Sequence, residues 1–363
     1  MADLFARKAG KCVLGLFVYG LTSGIVIAAA VFWLAAYEFQ KPGPLKEPTI
    51  IVIPSGSSIG GIADQLSYHS VIGGQSTDKA IFKIMGRLTG RHTSLKAGEY
   101  EFQPGISMKQ ALFQMEEGKT LGRRVTVREG LTNWETKILL KTNPDLKSET
   151  EILLPLEGAY LPETYSYQKG DTYLDILSQM QKAMRETIFK ACGFPDENLF
   201  NSSEWIKLEC PNASAPLKTT RDVLTLASIV EKETGVASER ARIAGVFLNR
   251  LKRGIPLQTD PSVIYALTKG QPKNDGKGPL GRRLLRKDLD VDSPYNTYKY
   301  AGLPPGPICN PGKDSIEAVL HPEEHEYIYF VADGSGGHVF AKTLAEHNAN
   351  VAKWRKIRRE KGL

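Results

Sequence analysis

Hydrophobic and polar residues alternate in different ways along the chain, and these differences predict its elements. From Cys12 to Ala36 no charged side chain occurs over about 25 residues, which is enough for a helix to cross a bilayer. Beyond it, short β-branched runs are mixed with apolar residues at the helical spacing of three and four. The pattern predicts a transmembrane helix followed by domains of the α+β class.

The apolar segment has the flanks of a membrane anchor. Basic residues precede it and aromatic residues lie near its far end: Arg7, Lys8 and Lys11, and then Trp33, Tyr37 and Phe39. Because basic flanks stay in the cytoplasm, we expect a cytoplasmic tail at 1–11, a membrane helix at 12–36 and an extracytoplasmic bulk. A cleaved signal peptide is the alternative, although the segment is longer than a typical h-region and lacks a clear small-x-small cleavage site.

A linker and a small domain are predicted after the membrane segment. Residues 37–48 contain Pro42 and Pro44, which favour extended backbone, and are expected to be the linker. Residues 49–122 form a predicted α+β domain, and the stretch from Val52 to Ala63 resembles the start of a LysM-type module. That module is a small fold that binds N-acetylglucosamine polymers. A generic α+β domain or a spacer is the alternative.

A larger α+β domain is predicted for residues 123–363. It opens with a strand in which Val125 and Val127 alternate with polar residues. Residues 192–215 have the composition of an irregular insertion, and residues 293–307 are dense in turn formers. Loops of this second kind commonly surround functional sites.

The helix predicted over residues 224–234 is the main candidate for chemistry, because an apolar run there ends in Glu231 and Glu233. At about 100° per residue, Glu233 shares a stripe with the apolar residues three, four and seven positions earlier, whereas Glu231 points nearly the opposite way. A carboxyl on a buried apolar face has a raised pKa and can stay protonated at neutral pH. Glu233 is therefore a candidate general acid. An ordinary helix whose last turn carries charge is the alternative.

Two polar residues further along are candidates for the same site. Asp260 precedes Pro261, a pair typical of a helix start, so it is either a helix-initiating residue or a second polar group in the cleft. Asn296 lies between Tyr295 and Tyr298, whose rings can stack on sugars, and its amide can bond an N-acetyl group. Turn chemistry explains Asn296 equally well.

One motif points to a metal site but lacks the context that such a site needs. Residues 321–325 match the H-x-x-E-H pattern of some zinc peptidases, which requires a helix. Pro322 stands second in the pattern, and a strand-like run begins at Glu326. We therefore expect no metal and no cofactor.

Composition narrows the partners only slightly. The 363 residues contain 47 Lys+Arg and 40 Asp+Glu, a formal net charge of +7. This excess suits anionic lipid or a carboxylate-rich polymer, and nucleic acid ranks last because no dense stripe of basic and aromatic residues occurs. Cys192 and Cys210 are a candidate disulfide in an extracytoplasmic space, with buried free thiols as the alternative.

Several motifs, taken together and in order, resemble one family. They are Ala227-Ser228-Ile229-Val230-Glu231-Lys232-Glu233-Thr234, Asn249-Arg250-Leu251, Leu257-Gln258-Thr259-Asp260-Pro261, Tyr295-Asn296-Thr297-Tyr298, Gly302-Leu303-Pro304-Pro305-Gly306 and Tyr329-Phe330-Val331-Ala332-Asp333-Gly334. The chain closely resembles the endolytic murein transglycosylases, also called the YceG-like family. The resemblance implies a single-pass protein of the bacterial inner membrane, with a LysM-like domain and a catalytic domain in the periplasm. It also implies that Glu233 is the catalytic residue.

The implied reaction needs one carboxyl group. A glycoside hydrolase usually needs two, whereas a lytic transglycosylase uses the muramic acid's own 6-hydroxyl as the nucleophile and leaves a 1,6-anhydro end. Gln258, Asp260 and Asn296 are the weaker candidates for substrate contacts. The expected partners are peptidoglycan strands, the lipid bilayer and peptidoglycan synthases of the penicillin-binding type. A non-catalytic wall-binding scaffold and a lysozyme-like hydrolase using Glu233 with Asp260 are the alternatives.

Overall fold

The chain folds into two compact units, Met1–Arg123 and Arg124–Leu363. The computed structural model describes residues 2–148, 151–195, 205–273 and 278–362. Helices and strands occur in both units, which confirms the predicted mixture of the two. The predicted insertion at 192–215 falls partly outside the described residues.

The first unit places a two-stranded sheet among helices. Its elements are α1 (Ala2–Gln40), β1 (Thr49–Ile53), α2 (Ile59–Tyr68), α3 (Ser76–Leu88), a short 3-10 helix (Arg91–Thr93), β2 (Gly98–Phe102) and α4 (Met108–Glu117). β1 and β2 are antiparallel, with Thr49 opposite Phe102 and Ile53 opposite Gly98. Ser107 precedes α4 and forms a reciprocal capping box with Gln110. The LysM-like assignment of this unit stays a prediction.

Helix α1 carries the apolar segment and then enters the core of the first unit. Its part Tyr19–Gln40 is long and apolar enough to cross a bilayer, and Trp33 within it is exposed, which is compatible with single-pass anchoring. Phe39 at its end and Leu45 beyond it are both buried in the core of the unit. Gly43 lies so close to the backbone of Ile106 that a side chain there would clash. Residues of the predicted linker therefore pack against the first unit.

The second unit is mainly helical, with two small antiparallel sheets. Its elements are β3 (Arg123–Thr126), α5 (Asn133–Lys141), β4 (Thr164–Tyr167), α6 (Tyr173–Cys192), α7 (Thr220–Glu233), α8 (Arg240–Lys252), α9 (Asp260–Thr268), α10 (Lys313–Leu320), β5 (Tyr329–Ala332), β6 (His338–Ala341) and α11 (Leu344–Glu360), with 3-10 helices at Trp205–Lys207, Ala237–Glu239 and Arg286–Asp290. β3 pairs with β4, and β5 pairs with β6. The β5–β6 hairpin sets Tyr329 opposite Ala341.

Helix α7 lies at the centre of this unit and packs against α8, α9 and α10. Every residue from Val223 to Val230 is buried, so the helix is enclosed on all sides rather than on one stripe. A disulfide joins Cys192 at the end of α6 to Cys210, and Cys309 is a buried free thiol. The predicted Cys192–Cys210 pair is thus present.

Candidate active site

The last turn of α7 presents Glu233 to a cleft in the second unit. Thr219 caps the start of the helix and forms a reciprocal capping box with Asp222. The helix then runs through the core and ends at Glu233, whose carboxyl makes no hydrogen bond to the described part of the chain. Loss of solvation raises the pKa of Glu233 to about 7. This carboxyl can therefore give and take a proton near neutral pH.

Two nearby charges act on Glu233 in opposite directions. The carboxylate of Asp260 adds to the rise in its pKa, and the guanidinium of Arg250 opposes it. Burial is the largest of the three effects, so the pKa of Glu233 stays near neutral. The stripe argument from the sequence predicted a rise for the same physical reason.

The cleft has a volume of about 370 Å³ and combines polar groups with aromatic rings. It is lined by Glu233, Phe247, Arg250, Leu257, Gln258, Thr259, Asp260, Tyr298, Tyr329, Phe330 and His347. Most of these side chains carry a polar group, and Phe and Tyr rings lie beside them, a combination that suits the hydroxyls and the apolar faces of a sugar. The cleft brings together Glu233, Gln258 and Asp260, three of the four residues singled out from the sequence.

Asp260 is the second carboxyl of the cleft, and it is exposed. It is the first residue of α9 and is followed by Pro261, as the sequence predicted. The hydroxyl of Tyr298 donates a 2.7 Å hydrogen bond to its Oδ1. Both earlier interpretations therefore apply to Asp260, because it starts the helix and also lines the cleft.

Gln258 reaches the cleft through an unusual backbone conformation. Its φ of +56° is left-handed, a region that costs a non-glycine residue roughly 1–2 kcal/mol. The turn is held because Gln258 N donates to Thr297 O at 3.0 Å and Thr259 N donates to Thr297 Oγ1 at 3.0 Å. The neighbours Leu257 and Thr259 are buried while Gln258 is exposed and lines the cleft, where Arg250 Nη1 lies 3.5 Å from its Oε1.

Asn296 does not line the cleft. Its side chain is 0% exposed, and its amide donates to Leu289 O and Val291 O, both at 2.8 Å. Its Oδ1 accepts from Tyr298 N at 3.0 Å. These bonds fix the loop that carries Tyr298, so Asn296 supports a cleft residue and is not retained as a substrate contact.

Arg250 was not singled out from the sequence, yet it organises one wall of the cleft. Its Nε donates to Ile328 O at 2.7 Å and its Nη1 donates to Leu257 O at 2.7 Å. The side chain is only 8% exposed, so these bonds satisfy a buried charge. An available signal was its position three residues after Phe247, on the apolar side of α8.

The remaining cleft residues come from separate parts of the chain. Tyr298 lies in a loop, Tyr329 and Phe330 lie on β5, and His347 lies on α11. Side-chain periodicity reports the face of one element and gives no distance between elements. The sequence therefore could not predict that these residues lie together with Glu233 in one cleft.

Glu231 lies outside the cleft and binds the start of another helix. Its Oε2 accepts from Gly312 N at 3.0 Å and from Ser315 Oγ at 2.7 Å, and Arg240 Nη2 lies 3.9 Å from its Oε1. Its side chain is 7% exposed. Because Gly312 precedes α10, this carboxylate caps the N-terminus of that helix. The sequence had placed Glu231 correctly on the other side of α7 but gave it no partner.

The H-x-x-E-H residues follow α10 and do not lie on a helix. Helix α10 ends at Leu320, and His325 binds backbone atoms, with its Nε2 2.8 Å from Arg242 O. No group of three metal-ligating side chains occurs among residues 2–148, 151–195, 205–273 and 278–362.

Comparisons with known proteins add independent information. The sequence model of the YceG-like family matches residues 51–353. The endolytic murein transglycosylase of Bacillus subtilis strain 168 is 34% identical over 342 residues, which cover 86% of each chain. A relative of the same name from Streptococcus pneumoniae strain D39 is 29% identical over 355 residues, covering 85% of this chain and 58% of its own.

A solved structure is also similar. The crystal structure of a yceG-like protein from Listeria monocytogenes is 33% identical, with a TM-score of 0.48. The alignment covers 84% of this chain and 98% of that chain.

Proposed function

The chain belongs to the YceG-like family, and from this premise we propose that it is a lytic transglycosylase that cleaves peptidoglycan. The observation that carries the proposal is Glu233, an unpaired carboxyl with a pKa of about 7 in a cleft lined by aromatic and polar groups. The relatives from Bacillus subtilis and Streptococcus pneumoniae are named endolytic murein transglycosylases. The bond cleaved is the one between N-acetylmuramic acid and N-acetylglucosamine within a strand.

Glu233 performs both proton transfers in the proposed reaction. Its protonated carboxyl donates to the glycosidic oxygen while the bond from that oxygen to the anomeric carbon of muramic acid breaks. The resulting carboxylate accepts the proton of the muramic 6-hydroxyl as that oxygen bonds to the same carbon. No water is consumed, the strand ends in a 1,6-anhydro sugar, and Glu233 returns to its protonated form.

Asp260 has a supporting electrostatic role in this scheme. It is exposed and accepts the Tyr298 hydroxyl, and its negative charge helps keep Glu233 protonated. A hydrolase using both carboxyls is the second candidate, and the observation favouring it is that Asp260 lines the same cleft. In that reaction Asp260 would be the nucleophile or would activate water.

The anchor and the first unit complete the proposal. We place α1 across the bacterial inner membrane, with the basic N-terminus in the cytoplasm and both units in the periplasm. The Cys192–Cys210 disulfide supports an oxidising compartment. The first unit is proposed to be LysM-like and to bind glycan, while peptidoglycan synthases are proposed partners that supply the nascent strands to be trimmed or terminated.

Mass spectrometry of the products tests the reaction. The full chain in detergent is incubated with purified glycan strands, and new ends are expected to carry the anhydro mass. Ends that gain one water molecule would support the hydrolase instead. Strands that are bound but left intact would support a non-catalytic scaffold.

A further inference from the structure

The last helix of the chain contributes one side chain to the cleft, and the reaction described above does not use it. His347 lies in the first turn of α11 and lines the cleft with Glu233. Its ring stacks on Tyr329, with a centroid distance of 5.0 Å and an interplanar angle of 22°. The Arg250 guanidinium lies 5.4 Å from the centre of the same Tyr329 ring. The ring of His347 is thus packed against that of Tyr329.

The two ring nitrogens of His347 have different surroundings. Nδ1 is buried and has no hydrogen-bond partner among the described residues. Nε2 likewise makes no hydrogen bond to the described part of the chain, but it is not enclosed. The imidazole, which lines the cleft, therefore has one nitrogen that is not buried, Nε2.

The surroundings also determine where the proton of the ring lies. The groups around His347 in the cleft that carry or can carry charge are Glu233, Arg250, Asp260, Tyr298 and Tyr329. Burial and the positive charge of Arg250 lower the pKa of His347, which keeps the ring neutral at neutral pH. A buried N–H without a partner is rarer than a buried acceptor without one. The buried, unpartnered Nδ1 therefore favours the tautomer that has its proton on Nε2 and the lone pair on Nδ1.

We infer that His347 is a substrate-binding residue whose Nε2–H donates to a carbonyl oxygen on the glycan. The inference rests on the proposed function, since it assigns a contact within that cleft. A carbonyl fits because it only accepts, and because the nearby Arg250 favours a group with partial negative charge. Two groups of peptidoglycan can accept this hydrogen bond. One is the N-acetyl carbonyl, present on both sugars, and the other is the lactyl group, present only on muramic acid, which is an amide carbonyl under a stem peptide and a carboxylate once the peptide is removed.

Binding is measured without cleavage to test this contact. The full chain in detergent, with Glu233→Gln as background, is titrated with glycan strands freed of stem peptides. Loss of one neutral hydrogen bond in His347→Ala is expected to raise Kd about 3- to 10-fold. The control is Asn348→Ala, a neighbouring exposed residue of α11 that is not part of the cleft, with Kd unchanged.

Two further variants separate hydrogen bonding from packing. His347→Gln keeps an N–H donor and loses the ring, whereas His347→Phe keeps the stack on Tyr329 and loses the donor. The inference expects His347→Gln to bind more tightly than His347→Phe. The opposite order, or a Kd for His347→Ala equal to that of the control, would overturn it.

A second probe identifies the carbonyl, and a separate assay isolates the reaction. Oligomers of N-acetylglucosamine lack the lactyl group. Weaker binding of both probes by His347→Ala therefore assigns the N-acetyl carbonyl, and weaker binding of the strands alone assigns the lactyl group.

Cleavage is followed in the chain that retains Glu233. Absence of anhydro product there contradicts the proposed function, whereas the binding order of the variants tests His347 alone.

Discussion

Glu231 and Glu233, the two carboxyls in the last turn of α7, have different hydrogen-bond partners and different surroundings. Glu231 accepts hydrogen bonds from Gly312 N and Ser315 Oγ and lies near Arg240. Glu233, two residues later, makes no hydrogen bond to the described residues and faces the cleft. The first carboxylate stabilises a helix start, and the second can stay protonated at neutral pH.

The difference shows that the hydrogen-bond partners of a carboxyl, rather than its residue type, determine whether its role is structural or chemical. The carboxyl of Glu231 is held in place by two hydrogen-bond donors and a nearby guanidinium. A buried carboxyl without donors is more easily kept neutral. Helical geometry produces this division, because a step of two residues turns the side chain by about 200°.

The largest expected effect is on the reaction itself. Glu233→Gln removes the proton donor while keeping the shape of the side chain, and we expect kcat to fall about 10²- to 10⁴-fold. The rate of anhydro-end formation by the full chain, measured by mass spectrometry, checks this. Glu231→Gln is the matched control and should keep its activity per folded molecule. Equal losses of activity in both variants would contradict the different roles assigned to Glu231 and Glu233.

The pH dependence of the reaction is the second test. Only the protonated form of Glu233 can donate, so with a pKa of about 7 its active fraction falls roughly tenfold per pH unit above that value. We expect kcat/KM to decline along this limb between pH 7 and pH 9. A flat profile across that range would mean that another group donates the proton.

For stability, unlike for activity, the larger loss is expected in Glu231→Gln and not in Glu233→Gln. Glu231→Gln weakens the charged cap on α10 and is expected to lower the free energy of unfolding of the second unit by about 1–3 kcal/mol. Tryptophan fluorescence during urea unfolding measures the change.

Glu233→Gln is the matched variant for stability and should act in the opposite sense at pH 8. The pKa of Glu233 in the folded chain is about 7, above its ordinary value of 4.5. The folded state therefore binds the proton more tightly than the unfolded state, and this stabilisation, complete below pH 4.5, is lost as pH rises through 7. A neutral amide avoids that loss. A drop in stability of Glu233→Gln at pH 8 would contradict the assignment of a desolvated carboxyl.

Local signals in the sequence predicted several elements and the position of Glu233 on an apolar stripe of a helix. The helix start at Asp260 and Pro261 was predicted and is found there, because proline suits the first turn of a helix. The helical stripe placed Glu233 among apolar residues and predicted the direction of its pKa shift. These predictions succeeded because each depends on residues that are close together along the chain.

The other cleft residues depend on contacts distant in sequence. Arg250 and His347 meet Tyr329 only after α8, β5 and α11 pack together, and no periodicity encodes that distance. Asn296 carried an ambiguous signal, since the same amide suits a sugar contact or a turn. Its burial and three backbone hydrogen bonds decide for the turn.

Asp260→Asn has the smallest expected effect, and it tests how much of the rise in the pKa of Glu233 comes from the charge of Asp260. Asp260 raises the pKa of Glu233 less than burial does, so its removal should move the alkaline limb of the pH profile to lower pH. At pH 7 the change in kcat/KM is expected to stay below about tenfold. Tyr298→Phe is the control, because it removes the hydrogen bond to Asp260 and leaves the negative charge in place. If Asp260 were a hydrolase nucleophile, Asp260→Asn would instead abolish turnover at every pH, and the new ends of the wild-type chain would carry an added water molecule.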